Sequence, residues 1–241
     1  MSATRLRLTV RGATGELIEY EPTRLVVAGF TGSDPELVAA HIAELERAGV
    51  QPPPETPTFY ELPVELLTTA PAIEVPGPKS SGEVEPVIHY VGGALYLGVG
   101  SDHTDRDLER TDIAAGKACC PKPVSTEVIP YEQARELWSR MTLRCRAGVG
   151  AEIYQDGRTA QVTPPEELLA RYRERAADPA PVEDGLVLFM GTPPLAGDGL
   201  VFADRYGVEL GFGDGRRAIE VAYNVLTQPA PAPRASKAGA R

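Results

Sequence analysis

Two runs of apolar and β-branched residues near the middle of the chain flank the pair Gly92-Gly93. The runs cover Pro86–Val91 and Ala94–Gly100, and both have the composition of β-strands. A two-residue Gly-Gly connection between such runs is typical of a tight β-hairpin. Pro86 cannot donate to a strand ladder and suits an edge or a bulge, and a bulge would shift the register by one residue.

The hairpin register decides where three acidic residues lie. If Val91 pairs with Ala94, Glu83 lies opposite Asp102 at the open end of the hairpin. Because paired residues and alternate residues share a face, Glu83, Glu85 and Asp102 then project together. Gathered carboxylates repel one another unless protons or a cation compensate, and an oxygen-only set suits Mg²⁺, Mn²⁺ or Ca²⁺. The pattern therefore predicts a metal site, with solvated acidic residues at strand ends as the alternative.

The rest of the pattern is rich in strands and has few helices. Asp34-Pro35-Glu36 has the residues of a helix start, and Thr163 with Glu166 has the spacing of a capping box at a second helix. Strands are expected at 6–11, at 25–28, on both sides of a turn at Asp156-Gly157, at 185–190 and within 201–225. The fold class is therefore α+β and β-rich.

Composition narrows the class of protein. The chain has 241 residues, 42% of them hydrophobic, and a net charge of −10. An acidic chain without a basic stripe is not expected to bind nucleic acid, and no apolar run approaches the length of a membrane span. Three cysteines do not make a disulfide framework. We expect a cytoplasmic protein with one domain over 1–227 and a disordered Ala- and Pro-rich tail over 228–241.

Polar motifs along the chain occur in a recognisable order. They are His41-Ile42-Ala43-Glu44, a proline-rich stretch over 52–57 with Phe59, Glu83-Val84-Glu85, Asp102 with Arg106-Asp107, Lys117 before Pro121–Ser125, Gln155-Asp156-Gly157 and Gly191-Thr192-Pro193. In kind and order they resemble the motifs of the fumarylacetoacetate hydrolase superfamily, over about residues 29–225. The nearest match is a short bacterial branch of uncharacterised function. The connection between Glu85 and Asp102 is shorter than in typical members, and Ser101 replaces their asparagine.

The resemblance implies a fold and a reaction. The fold would be a mixed β-roll or barrel-like core, usually in a homodimer. The function would be a hydrolase or decarboxylase that cleaves a C–C bond in a small 1,3-dicarbonyl or 2-oxo acid, with Mg²⁺ or Mn²⁺ polarising the chelated substrate and Ca²⁺ as a further candidate. The alternatives are a hydratase or isomerase on the same metal site, and a non-catalytic protein that binds small molecules.

The resemblance also assigns roles to residues. Glu83, Glu85 and Asp102 would be the metal ligands. His41 and Glu44 lie three apart on one helix face, in a lid region over 30–50, and would activate water. A lysine would stabilise an oxyanion; Lys117 is preferred and Lys122 is its rival. The residues expected to bind substrate are Gln155, Gly191 and Thr192. His89 is expected to be structural, and His103 to support the metal site.

Overall fold

Residues 4–12, 15–47, 52–53, 55–175, 184–197 and 199–228 are described by a computed structural model. The strands in these ranges are β1 (Leu6–Val10), β2 (Leu17–Tyr20), β3 (Arg24–Gly29), β4 (Thr58–Leu62), β5 (Leu67–Thr68), β6 (Ala72–Val75), β7 (Ser80–Ser81), β8 (Val84–Val91), β9 (Ala94–Ser101), β10 (Thr104–Asp105), β11 (Lys122–Pro123), β12 (Glu127–Pro130), β13 (Thr142–Ala147), β14 (Glu152–Arg158), β15 (Leu186–Phe189), β16 (Arg205–Gly211) and β17 (Ile219–Thr227). The α-helices are α1 (Pro35–Arg47), α2 (Arg106–Glu109), α3 (Ile113–Ala118), α4 (Tyr131–Arg135) and α5 (Pro165–Arg175). Short 3₁₀ turns lie at Val64–Leu66, Trp138–Arg140 and Thr159–Gln161.

Two mixed sheets organise the chain. The larger sheet has eight strands in the order β2-β1-β12-β9-β8-β15-β3-β4, and it curls into a half-barrel. The smaller sheet has five strands in the order β14-β13-β16-β17-β6. Two strand pairs, β7 with β10 and β5 with β11, lie outside these sheets. The β-rich α+β class predicted from the sequence is confirmed.

The central hairpin has the predicted register. Val91 pairs with Ala94, and the alignment continues without a shift through β8 and β9. Gly92 and Gly93 have φ values of 60° and 79°, the left-handed backbone that a two-residue hairpin turn requires. Beyond the strand ends, the Asp102 amide donates to the Glu83 carbonyl over 3.0 Å. The register therefore extends to the acidic residues.

Pro86 lies inside β8 without a bulge, at the point where the neighbouring strand β15 ends. It pairs with Val99 in the hairpin, and its carbonyl accepts from the Met190 amide on the other side. Proline has no N–H, so the reciprocal bond to the chain of Met190 cannot form. β15 stops pairing with β8 at this point, and the chain turns through Gly191 instead.

Alternation along the strands separates two hydrophobic cores. One core lies between the two sheets and contains Val84, Ile88, Leu97 and Val99 from the hairpin. The other fills the inside of the half-barrel and contains Val87 and side chains from the strands around it. Because Glu83, Glu85 and Asp102 have the parity of Val87, they belong to the inner face.

Neighbouring residues pack closely against two glycines of β9 on the inner face. A Cβ on Gly100 would lie 2.7 Å from the Phe189 ring and 2.8 Å from Val87. A Cβ on Gly98 would lie 2.7 Å from the Ser125 hydroxyl. These glycines let neighbouring chain approach β9 closely, which is the usual reason for glycine inside a strand.

The predicted turn at Asp156-Gly157 is wrong. β14 runs through both residues and pairs with β13 from Arg158 to Glu152. Gly157 is needed for a different reason, because a Cβ there would lie 2.3 Å from Pro193. The glycine allows a distant part of the chain to approach β14 closely. The Asp-Gly pair alone does not show whether a glycine is required for a turn or for such an approach.

The predicted helix starts had different outcomes. At α1 the Asp34 carboxylate accepts from the Glu36 amide over 2.9 Å, as an N-cap does. At α5 the capping box is wrong, since the Thr163 amide donates to the Thr31 carbonyl and the Glu166 carboxylate binds Tyr131 and Arg135. Thr163 and Glu166 therefore form hydrogen bonds and ion pairs with residues that are distant in the sequence instead of capping the helix.

The remaining predictions concern the ends and the surroundings of the domain. Apart from Gln228, the tail predicted to be disordered lies outside the described residues, as does the end of the lid region after Arg47. Cys119, Cys120 and Cys145 are free thiols. Among the described residues, no helix combines the length and the apolar character needed to cross a membrane.

Candidate functional site

Three carboxylates meet at the open end of the central hairpin. One oxygen from each of Glu83, Glu85 and Asp102 lies within 4.8 Å of the others. Asp102 and Glu85 are buried, with 0% and 2% exposure, and Glu83 is partly buried. The cluster predicted from strand pairing is therefore present, on one face and largely out of water.

Glu85 is the least compensated of the three. Its Oε2 accepts from the Gly191 amide over 2.8 Å. Burial, followed by the charges of Asp102 and Glu83, raises the pKa of Glu85 well above its usual range, against the opposing effects of Lys117 and Gly191. A buried carboxylate in this position needs a proton or a cation. The donor set, three carboxylates with oxygens in reach of one ion, fits a hard divalent cation.

Asp102 is held in its ionised form by two lysines. Lys117 Nζ donates to Oδ2, and Lys122 Nζ lies 2.9 Å from Oδ1. Burial raises the pKa of Asp102, but the two ammonium groups outweigh it and keep the pKa below the usual range. Oδ1 also accepts a long hydrogen bond of 3.5 Å from the Thr104 hydroxyl, whereas Oδ2 accepts from Lys117 alone among the described residues and keeps a position for a cation.

The two lysines have different roles in the geometry. Lys122 is fully buried, and besides Asp102 it donates to the carbonyls of His103 and Lys117, both over 2.6 Å. All three of its protons are therefore used by the protein. Lys117 donates to Asp102 alone within the described residues, and its Nζ lies 5.8 Å from the centre of the Tyr60 ring. Of the two rivals, Lys117 is the one with donors left for a ligand.

Arg106 holds the third carboxylate. Its guanidinium lies 3.0 Å from Glu83 Oε1 and 2.8 Å from Glu109 Oε2, and its Nε donates to the Ser81 hydroxyl over 2.8 Å. The Asp105 carboxylate caps the short helix α2 by accepting from two amides of its first turn. The contribution of Glu109 was missed in the sequence, although its spacing of three residues from Arg106 on a helix favours an ion pair.

Gly191 aims a backbone amide at the cluster. Its φ is 103°, and a Cβ at this position would lie 1.8 Å from the Thr31 hydroxyl. Only glycine tolerates both conditions. Its N–H is thereby directed at Glu85, so this predicted substrate-binding residue contacts a candidate metal ligand.

Gln155 and Thr192 lie behind the cluster and bind each other. The Gln155 amide accepts from the Val84 amide over 2.9 Å and donates to the Thr192 hydroxyl and the Pro193 carbonyl. The Thr192 hydroxyl in turn donates to the Val84 carbonyl over 2.9 Å. Both side chains are used in fixing β8 to the 191–193 loop. In the part of the chain that the structure describes, the Thr192 amide N–H is left for a ligand.

The histidines fall in three different places. The His103 ring binds the Tyr223 and Ser80 hydroxyls, so the expected support of the metal site by its imidazole is wrong. His89 is buried on the inner face of β8 and shares a 2.7 Å hydrogen bond with the Tyr20 hydroxyl, as a structural residue would. His41 and Glu44 lie on α1, but their side chains are outside the described part of the structure. The proposed roles of that pair stay predictions.

The fold is similar to that of fumarylacetoacetate hydrolase family proteins of known structure. A yeast member of that family, ynq8, superimposes with a TM-score of 0.61 at 16% identity, over 87% of this chain and 95% of that one. A 2-keto-3-deoxy-D-arabinonate dehydratase complexed with magnesium and 2,5-dioxopentanoate gives 0.58 at 14% identity, over 90% and 78%. The 4-oxalocrotonate decarboxylase from Pseudomonas putida G7, complexed with magnesium and adipate, gives 0.55 at 13% identity, over 83% and 77%.

Within this fold, the sequence defines a particular family. The chain belongs to the family described as "Protein of unknown function (DUF2848)", whose model matches residues 28–223. No curated protein sequence matches the chain. The matched range includes every residue of the predicted site.

Proposed function

We propose that the protein is a divalent-cation-dependent enzyme that cleaves a C–C bond in a small 2-oxo or 1,3-dicarbonyl carboxylic acid, as a hydrolase or decarboxylase. The observation that carries the proposal is the buried set of Glu83, Glu85 and Asp102, with oxygens within 4.8 Å of one another. Lys117 lies beside this set with donors unused by the described residues. The fold is shared with a magnesium-bound dehydratase and a magnesium-bound decarboxylase that act on oxo acids by name.

The three carboxylates would hold the ion, which we take to be Mg²⁺ or Mn²⁺, with Ca²⁺ as a further candidate. Bound there, it would supply Lewis-acid polarisation of a chelated carbonyl. The protein keeps the ligands ready, because Arg106 fixes Glu83, the Gly191 amide fixes Glu85 and the two lysines fix Asp102.

Lys117 would donate to the oxygen on which negative charge develops. Its ammonium is buried, and although burial lowers its pKa, the carboxylates led by Asp102 raise it above the usual range. A permanent, desolvated cation is suited to stabilising an enolate oxygen. The free amide of Thr192 would bind the substrate carboxylate, and Gln155 would hold that loop in place.

His41 and Glu44 would activate water for hydrolysis. The helix that carries them borders a pocket of about 220 Å³, lined also by the Thr56-Pro57 segment and the start of α5. None of the clustered carboxylates lines this pocket, so the helix would have to move to close over the site and exclude water. Hydrolysis would need this pair, whereas decarboxylation or dehydration would need the cation and Lys117 alone.

The second candidate is a dehydratase or hydratase on the same site. It is favoured by the shared fold of the 2-keto-3-deoxy-D-arabinonate dehydratase. The products separate the two reactions, because cleavage divides the carbon chain and dehydration retains all carbons.

The test combines turnover with binding of the cation alone. Purified protein with Mg²⁺ or Mn²⁺ is offered 2,4-dioxopentanoate and other 2-oxo acids, and products are identified by mass. Glu85→Gln is expected to abolish turnover and the stabilisation by Mg²⁺, which is about 2.7 kcal/mol at a hundred times the dissociation constant. The matched control is Glu220→Gln, at an exposed acidic residue of β17, and should behave as wild type. Full Mg²⁺ binding by Glu85→Gln would contradict the assigned site.

A further inference from the structure

Glu109 shares an arginine with one of the three clustered carboxylates. Its Oε2 lies 2.8 Å from Arg106 Nη1, on the same guanidinium that binds Glu83. The Glu109 backbone packs closely against α3. A Cβ on Gly116 would lie 2.8 Å from the Glu109 amide nitrogen, so glycine is needed at this contact. Gly116 directly precedes Lys117 in α3. Glu109 therefore lies beside Arg106 and against the helix that carries Lys117, two of the three cations that border the carboxylate cluster.

The Glu109 carboxylate is partly buried and lies close enough to influence charged groups of the site. It is among the acidic groups whose field reaches the Lys117 ammonium and the Tyr60 hydroxyl. Its side chain has 24% exposure, against 59% for Asp107 on the same short helix.

Every buried cation of the described chain already has an acidic partner. The buried basic residues are Arg106, Lys117 and Lys122. Arg106 is shared between Glu83 and Glu109, and both lysines bind Asp102. Without Glu109, one end of the Arg106 guanidinium would be open to a ligand.

We propose that Glu109 makes the site selective for oxo acids with a single carboxylate and disfavours those with a second one. The inference rests on the proposed function, because it assumes that an oxo acid binds at the carboxylate cluster. A second carboxylate would be desolvated beside Glu109 and would find Arg106 occupied. A buried charge without a partner is costly, so the selectivity follows from the pairing of the cations. The substrate class would be neutral-ended 2-oxo acids and acylpyruvates with one carboxylate.

Two ligands of equal chain length test the inference. 2-Oxopentanoate and 2-oxoglutarate share a 2-oxo acid head and differ in a distal methyl or carboxylate. Their affinities for the Mg²⁺-loaded protein are measured by titration calorimetry. Wild type is expected to bind 2-oxopentanoate about tenfold more tightly or better, since an uncompensated buried charge exceeds one factor of ten in affinity.

The variant Glu109→Gln is expected to reduce this preference about fivefold or more, through tighter binding of 2-oxoglutarate, because the freed guanidinium gains a carboxylate partner. Asp107→Asn is the matched control, since it removes the same charge from α2 at an exposed ion pair with Lys79, and it should keep the wild-type ratio. Equal affinities of wild type for the two acids, or an unchanged affinity ratio in Glu109→Gln, would overturn the proposed role of Glu109. Either result would leave the proposed function untouched. Failure of both acids to bind the Mg²⁺-loaded protein would overturn the proposed function and, with it, this inference.

Discussion

The two ends of β8 bury ionisable side chains of the same face, Glu85 at one end and His89 at the other. Both are nearly inaccessible, with exposures of 2% and 0%. Around Glu85 lie two further carboxylates and three buried cations. His89 has a single hydrogen bond, to Tyr20, and its Nε2 has no partner in the described chain.

The difference shows that β8 contributes to the carboxylate site at its Glu85 end and to the hydrophobic core at its His89 end. At the His89 end burial alone acts, and it lowers the pKa of the imidazole to about 3, so the ring is neutral. At the Glu85 end the chain after β9 returns through α3 and β11 and delivers Lys117 and Lys122 to Asp102. Charge survives burial only where the fold supplies counter-charges, and that end is the one suited to catalysis.

Removal of Lys122 should have the largest effect on stability, and it acts at the Glu85 end of β8. We expect Lys122→Met to lower the free energy of unfolding by about 3–5 kcal/mol, because Asp102 loses one partner inside the protein and two carbonyls lose their donor. Urea denaturation measures the change. Lys79→Met, at an exposed ion pair with Asp107, is the control and should change stability by less than about 1 kcal/mol. Wild-type stability of Lys122→Met would mean that buried counter-charges do not hold this end together.

At the His89 end of β8, low pH should reduce the free energy of unfolding, because the unfolded chain binds a proton at His89 that the folded protein does not. The folded pKa of about 3 lies below the ordinary 6.5, so between these values the unfolded chain binds more protons than the folded one. Stability from this group is complete above pH 6.5 and declines as pH falls, by about 1.4 kcal/mol per pH unit. His89→Asn keeps a polar atom near Nδ1 for Tyr20 and cannot take up this proton.

The measurement is the free energy of unfolding of both proteins from pH 7.5 to 5. His103, whose pKa burial also lowers to about 3, remains in both and contributes equally. The slope below pH 6.5 should be smaller in His89→Asn by the amount expected for one proton. Parallel curves would show that His89 does not take up a proton on unfolding in this range.

The contrast between the two ends also separates what the sequence could predict from what it could not. Strand alternation and the Gly92-Gly93 turn are local, and they sufficed to place Glu83, Glu85 and Asp102 on one face. The path of the chain from Asp102 to Lys122 is tertiary, so the sequence left two lysines as rivals where the structure uses both.

Local signals also failed where distant chain intervened. Gly157 fulfils the pattern of a turn, but the glycine is required by the approach of Pro193. Glu166 has the spacing of a capping residue, but its carboxylate binds Tyr131 and Arg135. In both cases the residue type was informative, and its partner lay far away in the sequence. The fold class and the cluster of three carboxylates could be predicted from the pattern, whereas the counter-charges around the cluster could not.

A change in the hairpin turn would test whether the two ends of β8 are independent. Gly93 has a φ of 79° and open space around its Cβ position, so Gly93→Ala adds backbone strain without a clash. We expect a loss of about 1 kcal/mol in the free energy of unfolding. Mg²⁺ affinity should be unchanged, because pairing along the whole of β8 and β9 fixes the register at the carboxylates. Gly207→Ala, also without a neighbour within 4 Å and outside the left-handed region, should cost less. Weaker Mg²⁺ binding by Gly93→Ala would show that the turn itself sets the register of the site.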